Sequence, residues 1–510
     1  MPFNAIFAWV IKKRLHQIDL FRKYPHDVQN ELLAKLIEQG QLTLYGKTYH
    51  FNQIESYNDF KNRVPLNDYN QLYPWIQRIM EGGEQTLLWP TETKWFAKSS
   101  GTTSSKSKFI PVTRESLEDC HYKGGKDLLA LYYDNYENRK LYKGKHLIVG
   151  GSAQVLPLSY DSYQGDLSAI ILKNLPWWAE IRRTPSKDIA LMSEWEEKME
   201  KMALSTIHED VYILAGVPSW TLLLCKKILE ITGKKNLRDV WPNLELFMHG
   251  GVNFEPYRKA FEELIPFEDM HYVETYNASE GFFGIQDQKN SSELLLMLDY
   301  GIFYEFIPMS EFKGIESTTI CSIEDVELGI EYAVVISTNG GLWRYILGDT
   351  IIFTNNLPYR FKIAGRTTHF INAFGEELIV ANSDKAITEA LIKTNAILKE
   401  YTVAPVYMDQ QTGRHEWLIE FIREPEDMNR FVHILDEKLR SLNTDYDAKR
   451  TKNLVLDMPL IQQLEPGSFD CWLQKRGKLG GQHKIPRLMN SREILEQILH
   501  DSSFKTYDYA

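Results

Sequence analysis

The chain has 510 residues, 43% of them hydrophobic and 25% charged, which is the composition of folded globular domains and excludes widespread disorder. Its formal net charge of −11 excludes a protein that coats nucleic acid, because phosphate binding needs clustered positive charge. A local basic site for one anionic ligand stays open, and the four cysteines, at 120, 225, 321 and 471, lack metal-ligand or redox spacing, as expected of reduced thiols in a cytoplasmic protein.

Ala5 to Phe21 carries apolar residues at helical spacing and reads as an amphipathic helix packed on the protein body, with a membrane-surface helix as the alternative. Its apolar run AIFAWVI is too short to span a bilayer, and its charges follow the run where a signal peptide has them before it. Helical patterns dominate to about residue 90, as in DVQNELLAKLIEQGQ and DYNQLYPWIQRIMEGG, and polar sequence breaks them at 99–108. From about 115 to 265, helical segments alternate with the short apolar runs HLIVGG, VYILAG and LELFMHGG, the pattern of crossover connections in an α/β sheet. Residues 293–355 are short, β-rich pieces (ELLLML, FYEFIPM, YAVVIST, TIIFT), which predicts an antiparallel sheet or a distorted barrel. Beyond 360, the strand-like EWLIEFI and KNLVLDM, the helix MNRFVHILDEKLRSL and a last helix at 491–500 predict a compact α+β domain. The expected fold is mixed α/β: a large domain over 1–360, with helix-flanked sheets and a distorted β-barrel, and a small domain over 361–510.

Four segments carry chemistry. SSGTTSSKSKFIPVT (99–113) concentrates hydroxyls, a glycine and lysines, a mixture that suits a polyphosphate, or else a surface loop. No Walker A or GxGxxG sequence occurs in the chain. In YNASEGFFG (276–284), Glu280 stands at an expected turn where it holds Mg²⁺, or where Ser279 merely caps a helix. GLWRYILGDT (341–350) reads as a hairpin strand ending at Gly348-Asp349, with Asp349 either turn chemistry or an acceptor for ribose hydroxyls. Arg344 either points to phosphates or pairs on the sheet. GGQHKIPRL (480–488) displays Lys484 on a constrained loop, solvated or neutralising charge on a phosphate or carboxylate. A further aromatic cluster, LPWWAEIRR (175–183), is either an apolar wall with an Arg for a carboxylate or a buried anchor with solvated arginines.

The order SSGTT…YxxSEG…YxLGD…QxKxPR resembles the Gretchen Hagen family of acyl-acid amido synthetases, within the adenylate-forming superfamily of acyl-CoA synthetases and luciferases. The resemblance covers nearly the whole chain, including LTLYGKTYHFNQIESYNDFKNRVPLNDY (42–69), PSW (218–220) and FMHGGVNFEPY (247–257), and is nearer a bacterial branch than plant versions. It implies that Ser99, Ser100, Gly101, Thr102, Thr103 and Lys108 bind phosphates, and that Tyr276, Ala278, Ser279 and Glu280 line the nucleotide with Glu280 on Mg²⁺. It likewise places Asp349 on the ribose, Gly250 and Gly251 near adenine, Arg366 at an interdomain hinge and Lys484 on the α-phosphate. Lys484, Glu280 and Thr103 are the catalytic candidates, with ATP and Mg²⁺ as cofactors.

The implied reaction has two halves. A carboxylate attacks the α-phosphorus of ATP, giving acyl-AMP and pyrophosphate; an amine, expected to be an amino acid, then takes the acyl group. In the superfamily the mobile small domain rotates between halves, bringing Lys484 in for the first. The rival readings are an acyl- or aryl-CoA synthetase and a nucleotide-binding regulatory protein. The expected partners are small acids and amines, with neither nucleic acid nor membrane.

Overall fold

The computed structural model describes residues 2–99, 108–136, 141–150, 155–192, 195–251, 254–367, 370–407, 412–451, 455–475 and 485–508. These fall into two compact units: residues up to 99, 108–251 and 260–367 form the first, and residues 254–259 and 370 onward form the second.

The first unit begins with the expected helices. Pro2–Lys23 covers the amphipathic stretch, and Pro25–Gly40 starts on a proline, where a missing N–H costs no hydrogen bond. Asp68 starts Tyr69–Met80 with a capping box, its side chain accepting from the Asn70 and Gln71 N–H groups while Gln71 reaches back to the Asp68 N–H. Asn67, just ahead of that cap, ties the helical region to the sheet. Its N–H donates to the Arg344 carbonyl at 2.9 Å, and its own carbonyl accepts from the Ile346 N–H at 2.8 Å. Its amide also donates to the Trp343 carbonyl at 2.7 Å and the Tyr45 hydroxyl at 2.9 Å. Above this bridge Trp343 stacks on Tyr45 and meets Phe51 edge-on, with ring centroids 6.4 and 4.8 Å away. Gly40 allows that approach, because a Cβ there would lie 2.7 Å from the indole.

Behind the helices lies a sheet of twelve strands among the described residues. At one end Arg183–Thr184, Lys145–Val149, Val211–Gly216, Leu246–Gly250 and His271–Ala278 run parallel, so the three apolar runs expected as crossover strands are neighbours. At Gly281–Ile285 the pairing turns antiparallel and continues through Leu294–Leu296, Tyr359–Arg366, Tyr345–Asn356, Glu331–Thr338, Ile302–Pro308 and Cys321–Ser322. The distorted barrel expected over 293–355 is therefore the antiparallel wing of one open sheet; the described residues form no closed barrel. The core joins both wings and the helical layer, from Phe21 and Leu33 to Phe283, Tyr304 and Phe353. A separate four-stranded sheet carries Trp95–Ser99 and Lys108–Val112 as neighbours.

The second unit has a four-stranded sheet in the order Ile397–Val406, Arg414–Arg423, Leu460–Leu464, Phe504–Tyr507. EWLIEFI lies in its second strand, while the third is LIQQL, shortly past KNLVLDM, where Val455 and Leu456 are buried outside any strand. Met428–Leu442 and Glu493–Asp501 are the expected helices, and the latter packs Leu495 and Ile498 with Leu418, Leu464, Trp472 and Ile485. Among the described residues no helix is long and apolar enough to cross a membrane.

In the aromatic cluster, Trp177 is no buried anchor and Arg183 is not solvated. Trp177 is 75% exposed, while Arg183 is buried and paired with Glu180, Nη2 to Oε1, at 2.6 Å.

Candidate active site

Trp95–Ser99 and Lys108–Val112 are antiparallel, and Ser99 faces Lys108 as its cross-strand partner. Ser100, Gly101, Thr102 and Thr103 lie outside the described residues, but the two ends of their segment are fixed side by side. Lys108 is buried, a costly place for an ammonium unless polar groups surround it. Its Nζ donates to the Tyr345 hydroxyl at 3.2 Å and stands 5.9 and 5.8 Å from the ring centroids of Tyr69 and Tyr345. The Tyr69 hydroxyl in turn accepts the Phe109 N–H at 2.7 Å, which secures the strand that carries the lysine.

Ser279 and Glu280 form the turn of the hairpin His271–Ala278/Gly281–Ile285, with Ala278 opposite Gly281. A strand follows the turn, so Ser279 has no helix to cap and the capping alternative falls. Burial pushes the Glu280 carboxyl above the usual carboxylate range, and the Lys108 ammonium works against that rise. Asp349 and Arg366 also act on Glu280 electrostatically, so the hairpin turn and the antiparallel wing share one charged locus.

Asp349 is buried and lies within Tyr345–Asn356, which runs through Gly348-Asp349 instead of ending there. Gly348 makes this possible: its φ of +95° and the register shift after Thr350 kink the strand without breaking it. Arg366, the cross-strand partner of Asp349, places Nε 2.6 Å from Oδ1. The Tyr276 hydroxyl donates to Oδ2. A carboxylate offers about four lone-pair positions, so one remains on each oxygen for an outside donor. Burial and the Asp349 charge hold the Tyr276 phenol well above its ordinary range, so it stays a donor.

In the parallel wing, the two strands leading up to His271–Ala278 in the sheet order end in glycine. A Cβ at Gly250 would sit 2.4 Å from the Thr275 carbonyl, Gly251 has φ +84°, and a Cβ at Gly216 would sit 2.6 Å from the Val149 carbonyl. Ligands of open α/β sheets bind at such carboxyl ends of strands.

Of the expected residues, Lys108, Glu280, Asp349 and Arg366 are electrostatically coupled, Tyr276 bonds Asp349, and Ala278 and Ser279 shape the turn. Arg344 is elsewhere. It is buried against Glu305, with Nε and Nη2 at 2.8 and 2.9 Å from the carboxylate, and Nη1 donates to the Lys61 and Val64 carbonyls, so it pairs on the sheet. Lys484 lies outside the described residues, but the chain just after it is anchored. Ile485 is in the core of the second unit, and the Pro486 carbonyl accepts the Thr402 hydroxyl at 2.6 Å. Tyr345, the partner of Lys108, is a further site residue whose signal lies in the YxLGD pattern itself.

Family models describe residues 14–270 as the GH3 family N-terminal domain, 295–366 as its central domain and 381–493 as its C-terminal domain. Indole-3-acetic acid-amido synthetase GH3.4 of Arabidopsis thaliana is 23% identical, over 95% of this chain and 92% of the relative. Jasmonoyl--L-amino acid synthetase JAR6 of Nicotiana attenuata is 24% identical, over 97% of each. The solved GH3.15 acyl acid amido synthetase superposes with a TM-score of 0.61 at 19% identity, covering 97% of this chain and 96% of that one. A 2-hydroxyisobutyryl-CoA ligase bound to its acyl-AMP and CoA reaches 0.50 at 14% identity, covering 94% of both. With the family's N-terminal, central and C-terminal domain models together matching most of its length, this chain belongs to the GH3 family.

Proposed function

We propose that this chain is an ATP-dependent acyl acid amido synthetase, which adenylates a small carboxylic acid and passes the acyl group to an amine, expected to be an amino acid. The observation that carries this reading is the meeting of Lys108, Tyr276, Glu280, Asp349 and Arg366 in one charged locus, drawn from three segments far apart in sequence. The named activities of the relatives, amide synthesis on indole-3-acetic acid and on jasmonate, fit it.

In this reading the spare lone pairs of Asp349 take the ribose hydroxyls, and Tyr276 with Arg366 holds the carboxylate in place. The segment between Ser99 and Lys108 receives the phosphates, with Lys108 supplying charge from a buried position. Glu280 suits Mg²⁺: burial raises its carboxyl, and a cation beside it would favour the charged, metal-binding form. Mg²⁺ commonly takes one or two carboxylates and completes its shell with phosphate oxygens and water, and when bound it would neutralise charge on the polyphosphate. The acid's carboxylate oxygen attacks the α-phosphorus and pyrophosphate leaves; the amine nitrogen then attacks the acyl carbonyl and AMP leaves. Positioning and charge neutralisation are what such a site contributes. Lys484 is the proposed α-phosphate contact in the first half, delivered by a small mobile domain from about 361 to the end. We place the enzyme in the cytoplasm, in the bacterial branch of the family.

The test is to mix the full-length protein with ATP, Mg²⁺, a pool of carboxylic acids and either hydroxylamine or coenzyme A, and to read products by mass spectrometry. AMP, pyrophosphate and a hydroxamate are expected, and the hydroxamate mass identifies the acid. A thioester formed in preference to the hydroxamate would make the chain a CoA ligase, and ADP would refute adenylation.

A further inference from the structure

Between the small sheet and the helix Tyr122–Asn135 lies one turn of π-helix, Ser116–His121, closed by the Tyr122 N–H donating to the Leu117 carbonyl five residues back. Single π-turns inside helices recur at functional sites, where the extra residue redirects side chains. Here it directs two consecutive buried residues at one target. The Phe282 N–H donates to Cys120 Sγ at 3.2 Å, and His121 Nδ1 lies 3.1 Å from Asn277 Oδ1. Asn277 and Phe282 are cross-strand partners, one on each side of the turn that carries Ser279 and Glu280, so adjacent residues grip both strands of that hairpin.

The grip is preset from behind. The Thr113 hydroxyl donates to the Asn339 carbonyl at 2.8 Å and accepts the Ser116 N–H at 3.0 Å, which moors the start of the π-turn to the antiparallel wing. Three residues past His121, a Cβ at Gly124 would lie 2.6 Å from the Phe282 ring, so the helix runs against the same strand. Burial holds the His121 imidazole down to about 4 and pushes the Cys120 thiol up to about 12. Both groups are therefore neutral near pH 7, and with Asn277 Oδ1 as the facing atom the hydrogen bond requires the single imidazole proton on Nδ1. Two uncharged pegs fix the hairpin without adding charge beside Glu280.

We propose that the π-turn is a positioning element of the nucleotide site, with His121 and Cys120 clamping the Asn277–Phe282 pair and so fixing the turn that presents Glu280. This rests on the reading of Glu280 as the Mg²⁺ ligand. Groups that orient a metal ligand are worth about 10-fold or more in affinity for the metal.

The test uses full-length His121→Leu, which deletes the donor, and His121→Asn, which keeps a donor near the Nδ1 position. Two quantities are measured: hydrogen exchange of the peptide spanning 276–283, and ATP affinity by calorimetry with Mg²⁺ and with chelator. His121→Leu is expected to speed exchange at 278–282 and to lose about 10-fold of the Mg²⁺-dependent gain in ATP affinity, with affinity in chelator unchanged. His121→Asn is expected to keep both properties. Unchanged exchange in His121→Leu, or equal damage in both variants, would overturn the clamp. Glu280→Gln, run alongside, separates the underlying reading: if it leaves the Mg²⁺-dependent gain intact, the Mg²⁺ role fails while the exchange data still decide the clamp. Should His121→Leu lose protection throughout the chain, Cys120→Ala decides instead, with faster exchange at 281–283 expected and no change overturning the proposal.

Discussion

Asp349 already holds two partners, the Tyr276 hydroxyl on one oxygen and Arg366 on the other, and a nucleotide would add to these without displacing them. Asp349→Asn keeps the shape and removes the charge. Hydrogen bonds to charged groups are worth about 1.5–3 kcal/mol, so ATP affinity should fall at least about 10-fold by calorimetry. Melting should shift little, because Arg366 is partly solvated. Unchanged affinity would remove Asp349 from the site. Glu280 gives a prediction with a sign. Its carboxyl is raised in the folded protein, so the folded state binds the proton more tightly than the unfolded chain does. Stability is therefore lost as pH rises through and above the ordinary carboxylate range. Glu280→Gln, neutral at every pH, should melt higher than the native chain at pH 7, with the advantage shrinking as pH falls through the ordinary carboxylate range. An advantage that keeps its size through that range would mean that the charge is not what costs stability.

At the scale of elements, the antiparallel wing and the helical layer meet through a buried ion pair. Arg344 bridges Glu305 on Ile302–Pro308 to the carbonyls of Lys61 and Val64, and the Tyr57 hydroxyl donates to the same Glu305 at 3.0 Å. Arg344→Met leaves Glu305 buried without its counter-charge, a change that typically costs 3–5 kcal/mol. A drop of that size should appear as a lower urea midpoint at constant slope, and a loss under about 1 kcal/mol would show that water reaches the carboxylate. Elements were legible where periodicity was strong. The three glycine-terminated runs gave parallel neighbours, and Met428–Leu442 was found from its pattern. The strand through Gly348-Asp349 was read as ending there because Gly-Asp is turn chemistry; only the cross-strand pairing with Arg366 carries it on. The barrel failed for a similar reason: short alternating strands fit an open sheet or a closed one, and closure depends on partners that periodicity does not name. Similarly, nothing in the residues of Ser116–His121 announces a π-turn, and the grip on Asn277 joins positions 156 residues apart.

Across the whole molecule, the legible part was the order of four short segments, which named the family before any coordinate did. Their mutual placement was not legible, since Lys108 stands on the small sheet and meets Glu280 and Asp349 of the large one only in the folded chain. Lys484 belongs to this scale, because the chemistry divides between halves of the reaction. Lys484→Ala should slow adenylation about 100-fold or more, as expected when a preorganised charge facing developing anionic charge is removed. Aminolysis of preformed acyl-AMP should be nearly unaffected. Stopped-flow measurement of the two half-reactions checks this, and equal slowing of both would assign the lysine to overall stability.

The pairing of Ser99 with Lys108 has a practical corollary. Eight positions, 100–107, join two residues whose separation the sheet already sets, whatever sequence stands between them. Exchanging that stretch for others of equal length, with the register of the two strands as the fixed reference, would turn the proposed phosphate-binding role into something measured by degrees.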